Sequence, residues 1–293
     1  MPAENRSPSG ELALVTGAST GIGAATAREL AARGLHVLAG VRRDSDAQAL
    51  QAERIEPMII DITADADIQA AAKRIAADPD GRPLRTLINN AGIAVNAPVE
   101  ALPMAEWHRQ FEVNFFGHIA VTQALLPALL ESSGTVVNIS SVGGRVAMAT
   151  YGAYAGSKFA MEAASDALRR EVGKFGVKVI IVEPGAVRSE MTDRGIATAE
   201  GLAADMTPDQ HDRYDSLLGA ITAQARGFTQ DGVPPAEAAK VIADAVTARN
   251  PKTRYTIGRD AAVIVRLARL APDRLLDRLL DRNLRPHYLK ASS

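Results

Sequence analysis

VTGASTGIG, residues 15–23, joins an apolar run to a helix-forming one. ELALVTG (11–17) reads as a strand running into glycine, and IGAATARELAAR (22–33) is rich in Ala, Leu, Glu and Arg, the composition of a helix. Gly17, Gly21 and Gly23 fall in the turn and at the helix start. Glycine there permits a tight turn and close backbone approach. The unpaired N–H groups and positive dipole end of the helix then suit a pyrophosphate, which makes Ser19, Thr20 and Ile22 candidate contacts beside the three glycines. The spacing is not GxGxxG, and a Gly-rich turn can be a plain connector. The strand before it and the helix after it favour the anion site.

The same alternation continues outward. HVLAGV (36–41), EPMIIDI (56–62), RTLINNAG (85–92), GTVVNISS (134–141), VKVIIVEPG (177–185) and TRYTIG (253–258) read as strands. Helical stretches at 65–77, 104–131, 151–174 and 234–250 lie between them, with a bend expected at Pro127. VKVII and PMII are apolar on consecutive residues, as in strands buried on both faces of a parallel sheet. Right-handed crossovers then give an α/β fold, a Rossmann-type doubly wound parallel sheet in a single domain. Residues 1–10 are expected to be disordered, 11–258 to form the catalytic domain and 259–293 an amphipathic C-terminal extension. Within the domain, 186–233 breaks the pattern and reads as a long irregular insertion with helical pieces such as HDRYDSLLGAITAQA, a substrate lid or a flexible loop.

Composition removes several classes of function. The 293 residues are 47% hydrophobic and 23% charged, with a formal net charge of −1. That balance implies no broad attraction to nucleic acid or anionic membrane. No cysteine is present, so disulfides, thiolate metal sites and cysteine nucleophiles are excluded, and the five histidines show no metal-ligand spacing. MPAENRSPSGE lacks an apolar signal region and no apolar run approaches transmembrane length, so a cytoplasmic location is expected.

The ends of the second and third strands refine the nucleotide reading. Val41 stands where an NAD-specific carboxylate would accept from a ribose, and Arg42 and Arg43 follow. Guanidinium groups suit a 2′-phosphate, so NADP(H) is preferred, with NAD(H) left open because Asp44 and Asp46 can neutralise the arginines. Asp61-Ile62 can meet an adenine; Asp61 could equally belong to the polar start of the next helix with Thr63 and Asp65. In TYGAYAGSKFA (150–160), Tyr154 and Lys158 are four apart and share a helix face. A phenol has a pKa of about 10. A nearby ammonium is expected to lower it towards general acid/base use.

TGASTGIG, NNAG (89–92), Asn114, Ser140-Ser141, Tyr154-x-x-x-Lys158 and EPG (183–185) occur together in the order and spacing of one family. On these motifs the chain resembles the short-chain dehydrogenases/reductases across roughly residues 11–258. The resemblance implies an NAD(P)-dependent enzyme in which Tyr154 moves the proton, Ser141 binds the reacting oxygen and Lys158 also holds the nicotinamide ribose. Ser141 is preferred to Ser140 because it lies thirteen residues before Tyr154, the family separation. Asn114 would hold a water chain from Lys158, its bland alternative being a buried amide bonded to backbone. Asn90 and Gly92 would border the adenosine side. Pro184, Gly185, Val187 and Ser189 would shape the nicotinamide end; the family often has threonine at the last position. Tyr151 would be pocket wall. No metal is needed.

A lipophilic small substrate is expected, because the lid carries Met191, Leu202, Met206, Leu217, Leu218, Ile221 and Phe228. The late segment is similar to the retinol/17β-hydroxysteroid dehydrogenase branch, which makes a steroid- or retinoid-like ketone or alcohol one option. A homodimer is implied by the family. Peripheral membrane contact by the Leu/Arg-rich tail stays open behind packing on the body. The competing reading is a non-catalytic dinucleotide-binding regulator on the same fold.

Overall fold

A computed structural model describes residues 10–288; the lead over residues 1–9 and the side chain of Phe228 lie outside the described residues. Seven strands form one sheet: β1 (Leu12–Val15), β2 (His36–Val41), β3 (Ile55–Ile59), β4 (Leu84–Asn89), β5 (Thr135–Ile139), β6 (Lys178–Pro184) and β7 (Arg254–Ile257). Their order is β3-β2-β1-β4-β5-β6-β7, and every neighbouring pair is parallel. The consecutive apolar residues are explained by two-sided burial. In β1, Ala13 and Val15 face one core and Leu12 and Leu14 the other. A fully buried Leu contributes roughly 1.5–3 kcal/mol.

Helices cover both faces. α1 (Gly21–Ala32), α2 (Asp44–Leu50) and α9 (Pro235–Thr247) enclose the first core. α3 (Asp65–Ala76), α5 (Gly117–Ser132) and α6 (Gly152–Val172) enclose the second. α4 (Met104–Phe111) runs into α5 through a π turn at Glu112–Phe116. The sheet order reverses between β1 and β4, so their C-terminal ends part and open a crevice.

Four sequence expectations need correction. DSDAQAL, not anticipated as an element, forms α2, with Asp44 and Asp46 in its first turn. The irregularity in the 104–131 helix is the π turn at Asn114; Pro127 lies inside α5 without ending it. The helix Met104–Ser132 is long and apolar enough to cross a membrane, contrary to expectation. Its buried face instead packs on the sheet and carries Asn114, His118 and Thr122. Residues 186–233 are more regular than an insertion with scattered helical pieces: α7 (Glu190–Ala204) and α8 (Pro208–Asp231) fill them, α8 taking in the HDRYDSLLGAITAQA stretch, and a Thr207–Gln210 capping box with Pro208 starts α8. The extension holds two more helices, α10 (Arg259–Leu270) and α11 (Asp273–Tyr288), and α11 packs against α8.

Candidate active site

The floor of the crevice is stapled by two polar side chains. Thr16 at the end of β1 donates to Ile88 O and accepts from the backbone N–H groups of Asn90 and Ala91. Asn90 Nδ2 donates back to the carbonyls of Thr16 (3.0 Å) and Gly17 (2.9 Å). The turn is held so tightly that side chains have no room. Gly17 has φ +63°, and a Cβ there would stand 2.6 Å from Ala91 Cα. A Cβ on Gly23 would meet Gly17 O at 2.2 Å. Thr20 is the N-cap of α1, yet its side chain makes no capping bond and the first turn holds no acid. The helix end thus keeps its N–H groups and positive dipole unused, which fits a dinucleotide pyrophosphate. Ser19 and Thr20 stand half-buried in the turn, while Ile22 packs partly on the core.

At the end of β2 the two arginines are unequal. Arg43 forks onto Asp46 through Nε and Nη2 at 2.9 and 3.0 Å. Arg42 is exposed, and its charge acts on Asp61. Asp61 Oδ1 accepts from the Thr63 amide and hydroxyl at 2.9 and 2.7 Å. Burial pushes this carboxyl up, but the Thr63 bonds and Arg42 outweigh it and hold it below its ordinary value. Asp61 therefore shapes its own turn with one oxygen. Ile62 is buried beneath α5, so its side chain serves the core.

Ser141, Tyr154 and Lys158 converge where β5 ends and α6 begins. Ser141 caps a 3₁₀ turn at Val142–Gly144, its Oγ accepting from Gly143 N at 3.0 Å. The Tyr154 ring lies beside it: a Cβ on Gly143 would stand 3.0 Å from Tyr154 Cε1 and 3.4 Å from Ser141 Oγ. Ser140, the neighbour on the opposite face, is buried with an unpartnered Oγ. Lys158 Nζ donates to Ile139 O at 2.8 Å and lies 6.0 Å from the Tyr154 ring centroid. Burial raises the Tyr154 pKa and the Ser141 hydroxyl only partly offsets this. Lys158 is not among the groups acting on the phenol in this structure; its Nζ bonds the Ile139 carbonyl. Burial lowers Lys158 itself to about 8, with Glu162 acting against the fall. Tyr151 meets Tyr154 edge-to-face at 6.1 Å, and burial followed by the Tyr154 charge raises it to about 12.

Thr150, just before this helix, has φ +66° although β-branched, and it is buried. Such backbones occur where the surroundings over-determine the chain, often beside reactive groups. Asn114 makes a reciprocal pair with Ile93: Oδ1 accepts from its N–H and Nδ2 donates to its C=O, both at 2.9 Å. The amide thus makes the buried backbone contact of the bland alternative, and it fixes the segment that follows Gly92.

The 186–233 segment folds back over the crevice. Gly185 N–H bonds Ile257 O, and Val187 forms a bridge with Val233. Ser189, N-cap of α7, stands 3.2 Å from where a Gly21 Cβ would be, and Met191 Cε lies 3.5 Å from that of Gly92. Arg213 and Tyr214 of α8 both bond Glu100, at 2.6 and 2.7 Å. Leu202 packs with Trp107, Ile93 and Ala153.

Sequence reasoning passed over Thr16 and Glu162, and took His118 for a surface or core residue, which its burial bears out. Thr16 opens the glycine motif, so its position was a usable signal. His118 and Glu162 carry none, because their roles depend on which helix faces which strand.

A family model described as short chain dehydrogenase matches residues 11–199. Retinol dehydrogenase 5 of Mus musculus is 36% identical over 91% of this chain and 86% of its own. An NADPH-dependent 3-dehydrocapnine reductase of Ornithobacterium rhinotracheale is 32% identical over 93% and 97%. A Burkholderia cenocepacia short chain dehydrogenase, solved in complex with NADP, superposes with a TM-score of 0.70 at 28% identity, covering 94% of this chain and 99% of that one.

Proposed function

The chain belongs to the short-chain dehydrogenase/reductase family and is an oxidoreductase, and from that premise we propose that it uses NADP(H) to interconvert an alcohol and a ketone or aldehyde on a lipophilic small molecule. The observation that carries this reading is the convergence of the Ser141 and Tyr154 side chains beside Gly143, with Lys158 behind them, at the C-terminal ends of the central strands. Gly17, Ser19, Thr20, Gly21, Ile22, Gly23, Asn90 and Gly92 would hold the pyrophosphate and adenosine side, with Asp61 and Ile62 near the adenine. Lys158, Pro184, Gly185, Val187 and Ser189 would hold the nicotinamide end. The nicotinamide supplies or accepts the hydride when bound.

Tyr154, kept a neutral phenol by burial, donates its proton to the carbonyl oxygen in reduction and takes it back in oxidation. Ser141 fixes that oxygen by a hydrogen bond. Any water relay at Asn114 would fall to its main-chain carbonyl, the side chain being engaged by Ile93. α7 and α8 act as the lid, and their apolar face with Trp107 and Tyr151 suits a steroid- or retinoid-like substrate. NADPH oxidation against a panel of ketones tests the reading. Cofactor binding without turnover of any of them would favour the regulator instead.

Arg42 carries the cofactor preference, because Arg43 is occupied by Asp46. A charge-assisted bond to a 2′-phosphate contributes about 1.5–3 kcal/mol. Arg42→Ala should therefore raise the KM for NADPH by roughly 10–100-fold and leave that for NADH nearly unchanged. Equal effects on both cofactors, or a native preference for NADH, would overturn it.

A homodimer acting in the cytoplasm is the assembly we favour. Met104, Phe116 and Phe159 are exposed along α4, the π turn and α6, an apolar surface suited to a second copy. Phe159→Glu should convert a dimer to a monomer in light scattering, and a wild-type protein that is monomeric at high concentration would refute this. Packing of α11 on α8 supports the tail as part of the body.

A further inference from the structure

Behind Lys158 lies a buried group of charges that the proposed reaction does not use. Glu162, one turn further along α6, is 4% exposed, and Glu183 of β6 is 1% exposed. Arg254 of β7 reaches Glu162 Oε2 through Nε (3.2 Å) and Nη2 (3.1 Å). Arg145, which ends the 3₁₀ turn begun by Ser141, stands 3.7 Å from the same oxygen. Both guanidiniums also approach Glu183 Oε1, each at 3.5 Å, while Thr256 donates to its other oxygen. Two carboxylates and two guanidiniums thus bind together the serine turn, α6, β6 and β7. Glu183 is followed directly by Pro184-Gly185. Space is short: a Cβ on Gly144 would touch Glu162 Cγ at 3.1 Å and the Lys158 carbonyl at 3.2 Å.

Buried ion groups are costly unless mutually compensated, and a hydrophobic replacement is often no less stable. Their value here is placement. We propose that Glu162, gripped by Arg254 and Arg145, is a positioning residue: it is the counter-charge of the Lys158 ammonium and ties it to the turn that presents Ser141. This rests on Lys158 being part of the reacting site.

The groups facing Lys158 support it. On α6 they are Glu162 and the Tyr154 ring. On β5 there is only the Ile139 carbonyl. On α5 there is His118, which burial, then Lys158, lowers to about 3, so it is neutral. Arg145, Arg254 and Glu183 stand behind Glu162 from the turn, β7 and β6. Among the described residues, Glu162 is the anion acting to keep the ammonium charged in a site where burial opposes it.

The test is a ¹³C-lysine NMR titration of the free, full-length protein, which has seven lysines; loss of one signal in Lys158→Arg assigns the resonance. The wild-type midpoint should lie near 8. Glu162→Gln should lower it by roughly one pH unit, since the ammonium loses its opposite charge. Arg145→Gln should raise it, because the carboxylate is then less neutralised. Asp166→Asn, which removes a different carboxylate from Arg254, should leave it in place. Glu162→Asp should restore most of the shift. The alkaline limb of ketone reduction should move to lower pH in Glu162→Gln, with kcat falling more than KM rises. Unchanged Lys158 midpoints in Glu162→Gln and Arg145→Gln would overturn the proposal. Should Glu162→Gln not fold, Arg145→Gln decides it alone. Shifted midpoints in a protein that reduces no ketone would leave the charge pairing standing and remove the proposed function.

Discussion

Tyr154→Phe should reduce turnover by about 10²–10⁴-fold, the usual contribution of a positioned acid or base. NADPH binding and thermal stability should change little. The substitution removes one oxygen, on which the Ser141 hydroxyl acts in the free protein, and keeps the ring. Tyr151→Phe is the matching control. Its ring meets Tyr154 edge-to-face, and that contact survives loss of the hydroxyl. Burial, followed by the Tyr154 charge, raises the Tyr151 phenol to about 12. Tyr151→Phe should keep turnover within a few-fold. Steady-state kinetics on the two variants decides between the tyrosines; equal losses, or an active Tyr154→Phe enzyme, would remove the acid/base assignment. The direction with pH follows from the same groups. A raised Tyr154 stays protonated through neutrality, so the charge lost first on the alkaline side is that of Lys158. Reduction should hold its rate below about pH 8 and decline above it.

The sheet could be read from the chain because its signals are local. LALV and VKVII are apolar without alternation, and only a strand covered on both faces explains that. The glycine turn could be read because Gly17 and Gly23 sit where a strand meets a helix. What could not be read depends on charge and distance between segments far apart in sequence. Lys158 and Tyr154 have a helical spacing that suggests direct tuning, yet the ammonium turns to a carbonyl of β5. Asn114 is a poor helix former within a helical run; the π turn and its Ile93 partner both follow from the fold, and spacing alone gives neither. The 186–233 segment looked irregular because its polar residues face solvent on two helices. Its contact with Glu100, more than a hundred residues earlier, leaves no trace in its own composition.

Gly23→Ala should weaken NADPH binding by about 100-fold or more, equivalent to about 2.8 kcal/mol. The reason is contact alone. Gly17 and Gly21 have positive φ, but Gly23 does not, so alanine meets no conformational penalty at that position. Its Cβ would instead fall 2.2 Å from Gly17 O and 2.4 Å from Asn90 Nδ2. Neither can yield freely: Gly17 O and Thr16 O are both held by that same amide, and Thr16 is tied to β4. The start of α1 must therefore move away from the turn, taking its N–H groups with it. Overpacking of this kind also costs about 1–3 kcal/mol of stability. Two other glycines separate the causes. Gly81 has φ +63° with nothing within 4 Å, so Gly81→Ala should carry only the backbone cost of about 1–2 kcal/mol and leave NADPH binding intact. Gly21 has φ +57° and would touch only Ser189 Cβ at 3.2 Å, so Gly21→Ala should fall between them. Fluorescence titration with NADPH and thermal unfolding on the three variants give both axes. Wild-type affinity in Gly23→Ala would mean that the cofactor is not seated on this turn, and the crevice would lose its assignment.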